Sequence, residues 1–482
     1  MKKIFKFIFI NSLIVLLIAT LSSCGKMNQL GGTYELNDNG SYTLVKVDEN
    51  VVTFDIYNEY NGVAVTEIYS SAFNNCVNLR KVNIPQNIEK IGMTIFVGCV
   101  NLEKITIDPN NKVFDSRDDC NAVIETKTNT IKFGCKNTKI PSTVTTIGSN
   151  AFTKCEKLTS IIIPESVTKI ELSAFSSTGL KSIRIPKSVK SISMFAFYNC
   201  TNLKEIVVDE NNEYYDSRDN CNAIINKDNE LVIGCQTTKI PTSVTKISDN
   251  AFNSCPNLKE IDIPSNVTVI GNSAFDGCLN LKTVNLNSGL KEIKNRAFQG
   301  SGIESINIPS TVTSIGEQVF YNCPNLKYLN VNEKNEYYDS RDDCNAIIET
   351  KTNKLLYSSQ NTTIPNSVVW LGEYSFALRN ELTTIIIPSS VTNFESKTFY
   401  GSENLKSIIL PKEIKSVGSN SFMYTSLENV FYCGNETEWK KVVKIGDQTI
   451  LEAKIYYYSE TKPTTTGDYW HFDVDGVTPV IW

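Results

Sequence analysis

The chain of 482 residues contains one histidine, His471. Imidazole-based triads and His-rich metal sites are therefore nearly excluded before any motif is sought. Its 14 cysteines include no C-x-x-C pair, and no two lie closer than 14 residues apart, so a zinc module has no ligand spacing to rest on. Basic clusters are missing after the first few residues. Overall, 47 Lys and Arg face 52 Asp and Glu. Without Lys2, Lys3 and Lys6 the balance moves from −5 to −8, which argues against nucleic acid and against docking on anionic lipid. The phosphate-cradling G-x-G-x-x-G and P-loop patterns, the nucleophile elbow G-x-S-x-G and the zinc motif H-E-x-x-H are all absent. No catalysis and no cofactor are expected. An apolar content of 41%, with 10% aromatics, is too high for a disordered chain.

Only one long apolar run exists, Phe7 to Leu21, preceded by the three lysines. This is the order of a signal peptide. It ends on Leu21-Ser22-Ser23-Cys24, which resembles the bacterial lipobox. That resemblance implies cleavage after residue 23, acylation of Cys24, and a lipid-held protein of the bacterial cell envelope. Residues 25–32 then add a tether of at most ~28 Å beyond the lipid-bearing Cys24.

The remainder is repetitive. Phe recurs at 73, 96, 152, 175, 197, 252, 275, 298, 320, 376, 399 and 422, in steps of 22 or 23 interrupted by three steps of 55 or 56. Each long step exceeds a short unit by 33 residues. Twelve short units and three inserts account for about fifteen coils. A short unit such as 251–271 reads Ala251-Phe252, then Cys255, Leu258, Ile261, Ile263, Pro264, Val267 and Ile270. The Ile-x-Ile alternation is a short strand with both isoleucines inward. Ten of the 15 prolines close such a strand, where a missing N–H ends the ladder. The twelve residues Phe73, Phe96, Phe152, Phe175, Phe197, Phe252, Phe275, Phe298, Phe320, Phe376, Phe399 and Phe422 are the expected core anchors. No 23-residue unit can bury its apolar side alone, whereas stacked units can, in a rod of ~70 Å.

These units resemble the bacterial leucine-rich repeats of the BspA-like type, over about residues 60 to 430. The resemblance implies a β-rich solenoid of short strands joined by turns or short helices, exported to the surface. It also implies attachment to an extracellular protein or glycan. The expected organisation is a signal peptide (1–23), a tether (24–32), an N-terminal cap segment (33–66), a solenoid (67–433) and a C-terminal cap module (434–482). Two alternatives stay open. The module could carry glycan binding or catalysis, with Tyr456-Tyr457-Tyr458 and Trp482 as a sugar-stacking face, or the protein could be purely structural; the lone His471 is expected as a packed side chain.

The inserts, about 108–141, 209–241 and 332–365, each contain Asp-Ser-Arg-Asp (115–118, 216–219, 339–342) and then two apolar runs about a polar stretch. They are expected to be β-hairpins projecting from a coil. Calcium would need more oxygen ligands than the tetrad supplies, so an Arg held between carboxylates is the expectation. The same holds for Asp473-Val474-Asp475-Gly476. Seven cysteines fall three residues after an anchor Phe and are expected as small filler in the interior. Cys120 with Cys135, and Cys221 with Cys235, flank hairpins equidistantly and are expected to face each other within disulfide reach. Ser359 replaces the second member in the third copy. Finally, the residue between the two inward isoleucines faces out. That lane is polar in its middle, with Asp262 followed by Asn285, Asn307 and Asn330, and apolar at Ile386, Ile409 and Phe431. These last three form a candidate partner-binding stripe unless the C-terminal module covers them.

Overall fold

The computed structural model describes residues 31–442 and 444–482. The signal peptide, Cys24 and most of the tether lie outside the described residues. The chain is a β-solenoid of many stacked turns with little helix. It divides into two compact units, Met1–Leu203 with Asp209–Tyr214, and Lys204–Val208 with Tyr215–Trp482.

Each short unit carries two strand positions. The first is the Ile-x-Ile strand, for example Lys81–Ile84 and Lys104–Ile107, which pair in parallel with Lys81 opposite Lys104. The second is a two-residue strand, such as Val269–Ile270, paired in parallel with Glu292–Ile293. After it comes the Ala-Phe segment, which is turn throughout and never helix. The cause is local. The residues two before and two after each anchor Phe have positive φ, as at Asn250 (60°) and Ser254 (53°) around Phe252. Helix cannot propagate through that backbone.

All twelve anchor Phe are buried, with Phe73, Phe175 and Phe399 at 0% exposure and Phe197 at 7%. Within runs of short units they stack face to face. Ring centroids lie 5.1 Å apart for Phe152–Phe175 and 5.4 Å for Phe175–Phe197. The spacing is 5.0 Å for Phe252–Phe275 and 5.3 Å for Phe275–Phe298. It is 5.3 Å for Phe376–Phe399 and 5.2 Å for Phe399–Phe422. Phe73 departs from this pattern, meeting Phe96 at 5.2 Å with the rings tilted by 45°. At the first and third inserts the column is plugged edge-on instead. Phe133 meets Phe96 at 6.0 Å and Tyr357 meets Phe320 at 5.5 Å. The anchors, Phe73, Phe175, Phe197 and Phe399 included, are packing residues and contribute to no surface site.

In the first unit the N-terminal segment seeds both strand positions. Thr53–Asp55 pairs in parallel with Lys81–Ile84, and Val63–Ile68 pairs in parallel with Lys90–Ile91. Tyr34 closes the end, stacked 4.9 Å from Tyr60, and its buried hydroxyl accepts the Tyr57 N–H at 3.2 Å. Burial pushes that hydroxyl's pKa up to about 12.

The inserts do not project. In the first, Ala122–Glu125 and Thr130–Gly134 form an antiparallel hairpin, and the second of these strands pairs in parallel with Thr146–Ile147. The hairpin thus occupies the second strand position and lies in the stack, with Val123, Ile124 and Ile131 fully buried. Its apolar residues on both strands are the reason: projected, they would meet water. Gly134 and Gly234 permit the fit, because a Cβ there would come within 2.1 Å of the Phe152 and Phe252 rings respectively.

Candidate interaction surface

Of the two readings of the apolar stripe, partner site or internal cap contact, the C-terminal module decides for the cap contact at Ile409 and Phe431. Lys454–Tyr458 extends the sheet of Ser407–Leu410 and Asn429–Tyr432, setting Tyr456 opposite Phe431. Tyr456 stacks on Phe431 at 5.3 Å, and Trp470 meets Phe431 edge-on at 5.5 Å. Ile409 is 0% and Phe431 5% exposed, against 40% for Ile386. The module covers all but the first residue of the stripe. The Trp470 indole N–H donates to the Tyr432 carbonyl at 2.9 Å, locking the cover. His471 is stacked on Trp482 at 3.8 Å, and Asp475 accepts the N–H groups of Val477 and Thr478 within a turn. Of the module's aromatic residues Tyr456 is buried in this packing, whereas Tyr458 and Trp482 each remain 38% exposed.

The cysteine pairs are corrected too. Cys120, Cys135, Cys221 and Cys235 are all free thiols. In each hairpin the register slips by one. Ile124 pairs with Ile131, whereas Val123 pairs with Phe133, leaving Lys132 as a bulge. Had the register near the turn continued, Cys120 would face Cys135. The bulge instead sets Cys135 opposite Asn121, whose carbonyl accepts from the thiol at 3.4 Å. Cys235 does the same to Asn222 at 3.4 Å, and the Ser359 hydroxyl does it to Asn345 at 2.9 Å. Cys120 and Cys221 turn instead to the carbonyls of Ala122 and Ala223, both at 3.8 Å. The second position requires a small donor, which explains why Ser replaces Cys.

The interior thiol column is likewise more than filler. Cys99, Cys200, Cys278 and Cys323 donate to the Phe carbonyl one unit earlier, at 3.0, 3.1, 3.2 and 3.1 Å, and Ser402 donates to Phe376 at 2.8 Å. Burial pushes the Cys278 and Cys323 thiols up, away from the reactive thiolate. Beyond the third insert the buried Arg379 takes the position, donating to the Ser358 hydroxyl at 3.2 Å and the Cys323 carbonyl at 3.3 Å.

The Asp-Ser-Arg-Asp tetrads are fasteners. Arg117 donates to both oxygens of Asp115, at 2.7 and 2.5 Å, and reaches Asn129 at 2.9 Å and Thr143 at 3.2 Å. Arg218 repeats this on Asp216, Asn229 and Ser243, and Arg341 on Asp339, Asn353 and Ser367. One carboxylate, an amide and a hydroxyl hold each guanidinium, where two carboxylates were expected. Among the described residues no group of three or more His, Cys, Asp or Glu side chains could hold a metal ion.

What stays open is the polar middle of the outward lane. In the second unit Glu260–Asp262, Thr283–Asn285, Ser305–Ile308 and Tyr328–Val331 form a four-stranded parallel sheet in register. The outward rows run Glu260, Thr283, Ser305, Tyr328 and Asp262, Asn285, Asn307, Asn330, and all eight are exposed. Thr283, Ser305 and the three Asn line a groove of about 520 Å³. The Asn285 amide donates to Asp262 at 2.6 Å. The first unit carries a shorter version, in which Thr106 donates to Asn83 and Asn83 to Asp55.

A family model for the BspA-type leucine-rich repeat region matches residues 62–127, 124–244, 232–346 and 344–443. Solved structures with a similar fold include a leucine-rich cell surface protein of Faecalibacterium prausnitzii, 20% identical over 86% of this chain and 96% of its own, with a TM-score of 0.30. A leucine-rich repeat protein of Bacteroides ovatus is 21% identical over 89% and 98%, with a TM-score of 0.37. One of Eubacterium ventriosum is 22% identical over 83% and 94%, with a TM-score of 0.42. No curated protein matches the chain. Repeat spacing, stacked coils and family match agree, and the chain belongs to the BspA-type leucine-rich-repeat family.

Proposed function

We propose that the protein is exported, held at the cell surface by lipid on Cys24, and binds an extracellular protein or glycan through the outward face of the sheet 260–331. It acts by binding, without catalysis or cofactor. The observation that carries this is the double row of exposed polar side chains beside an uncovered groove of about 520 Å³, on four strands aligned in register. The apolar alternative at Ile409 and Phe431 is already occupied within the chain. Export rests on the charged and apolar leader and on the Leu-Ser-Ser-Cys end of it.

Two measurements test it. Mass spectrometry of the N-terminal peptide from the native host should find an acylated Cys24, and Cys24→Ala should leave the precursor uncleaved. A screen of the purified chain against extracellular-matrix proteins and glycans should return a ligand whose binding is lost in the double variant Asn307→Ala/Asn330→Ala. Undiminished binding by that variant removes the face from consideration.

A further inference from the structure

We infer that the groove on this sheet takes a neutral glycan chain lying along the stack, with Asn285, Asn307 and Asn330 as its hydrogen-bonding rail and Tyr328, two residues before Asn330 on the same strand, as a stacking platform next to it. The inference rests on the reading above that this face binds, and names what it binds.

Three observations carry it. The first is chemical. The groove is lined by amides, hydroxyls and short apolar edges, and no charged side chain lines it. A primary amide offers two donors and a carbonyl acceptor, and a hydroxyl offers both roles. That set matches sugar hydroxyls, which also donate and accept. It supplies no cation to neutralise a sulfate or uronate in the groove. Lys282, beside it, is engaged by Glu304 at 2.9 Å.

The second observation is that the polar groups are available. The side chains of Asn307 and Asn330 make no hydrogen bond among the described residues, and both are exposed. By contrast Asn285 is tied to Asp262 at 2.6 Å, which fixes that end of the rail and closes it with a carboxylate. An anionic chain would be repelled at the Glu260–Asp262 end.

The third is geometric. Tyr328 is 52% exposed and stands on the same strand and the same face as Asn330, two residues before it. A tyrosine ring presents a flat apolar face and a polar tip. The C–H face of a pyranose can lie on it while its hydroxyls meet the Asn row alongside. Successive strands are about 4.8 Å apart, close to the advance of one pyranose along an extended chain, so each coil meets about one sugar. A protein partner fits less well. Protein interfaces concentrate energy in desolvated pockets for apolar anchors, and the outward rows of this sheet offer only Tyr328 beside amides, hydroxyls and two carboxylates.

The test is a printed array of neutral and anionic glycans, probed with the full chain and followed by calorimetry on the best binder as a free oligosaccharide. Neutral glycans should bind, and heparin should not compete. Tyr328→Ala and Asn330→Ala should each weaken binding on the order of ten-fold, with unchanged melting, since both side chains are exposed. Asn307→Asp should weaken it as well without altering the ring. Binding only to sulfated or sialylated glycans, or to no glycan, overturns the inference. If a protein is captured in the wider screen and lost with Asn307→Ala/Asn330→Ala while the array stays blank, the face stands and the glycan does not. If glycan binding survives all three variants, the groove itself is wrong.

Discussion

At the scale of single residues, the recurring theme is a small donor serving a carbonyl of the neighbouring coil. Cys278 gives its S–H to the Phe252 carbonyl, and Ser402 gives its O–H to that of Phe376. The chemistry explains why Cys and Ser alternate three residues after the anchor Phe; Thr178 and Thr425 at the same position donate instead to the carbonyls of their own Phe175 and Phe422, at 2.9 and 2.7 Å. Cys278→Ala should remove one of the two donors on the Phe252 carbonyl, which also accepts the Cys255 N–H at 3.1 Å, and cost about 0.5–1.5 kcal/mol, while Cys278→Ser should cost less because the donor survives. Urea unfolding of the two variants side by side checks the order. Equal losses would mean that volume, not the hydrogen bond, governs the site. Positive φ is the other residue-scale rule. Gly98, Gly277, Gly300 and Gly401 occupy the position two after the anchor, where other units place Asn, Ser or even Lys154.

At the scale of the element, each insert is fastened three times over. Asn335 donates to the Pro309 and Val312 carbonyls of the preceding turn, both at 2.9 Å; Arg341 grips Asp339; Ser359 holds Asn345. The first two inserts repeat the scheme. In the second, Arg218→Lys cannot reproduce the bidentate contact and should cost about 1–2 kcal/mol. The pH dependence follows. Burial opposes ionisation of Asp216, but the bonds from Arg218 outweigh it and hold the carboxyl below its ordinary 3.8. A depressed folded pKa contributes stability that is present above the unfolded value and lost as pH falls through the folded one. Asp216→Asn should therefore lower the unfolding midpoint at pH 7 and flatten its decline below about pH 4. An unaltered acid limb would count against the fastener. The sequence is most legible at this scale. The Phe spacing and the Ile-x-Ile-Pro run mark the coils, and inward and outward positions follow from the alternation. The in-stack placement of the hairpins did not emerge, because two apolar strands look alike whether they project or lie flat. The disulfide expectation failed on Lys132, since a one-residue bulge leaves no mark in composition yet moves every partner beyond it. The polar grid was visible as three Asn in a row, but a contiguous apolar stripe is the stronger contact signal in a sequence, and only the fold of residues 454–482 reveals that it is covered.

At the scale of the molecule, the problem for any stack is its ends. The last anchor, Phe422, has no further coil to accept its N–H, as Ala297 does for Phe275. The buried Asp447 carboxylate accepts it at 2.9 Å, and the Ile450 N–H at 3.1 Å. Trp470 seals the outer face. Trp470→Ala should cost about 3–5 kcal/mol and expose Phe431 and Ile409. Truncation after Cys433 should bare the same patch and produce a concentration-dependent oligomer in size-exclusion chromatography. A monodisperse truncated chain would show that the module is dispensable to the stack. The inserts have a consequence on the same scale. Each enters after an Ile-type strand, as at Val331, and returns the chain to Ile-Pro, as at Ile364-Pro365. Its last strand pairs with the next coil in the same parallel fashion that short units use, Leu355 with Leu371 and then Leu371 with Phe394. Joining Val331 directly to Pro365 would recreate the junction of Ile308 with Pro309. The inserts therefore behave as cassettes of nearly equal length, 33, 32 and 33 residues between strand and closing proline, with matched ends. A lost or gained cassette would leave a chain whose remaining coils meet as before. The length of the stack is thus separable from the fold of each coil.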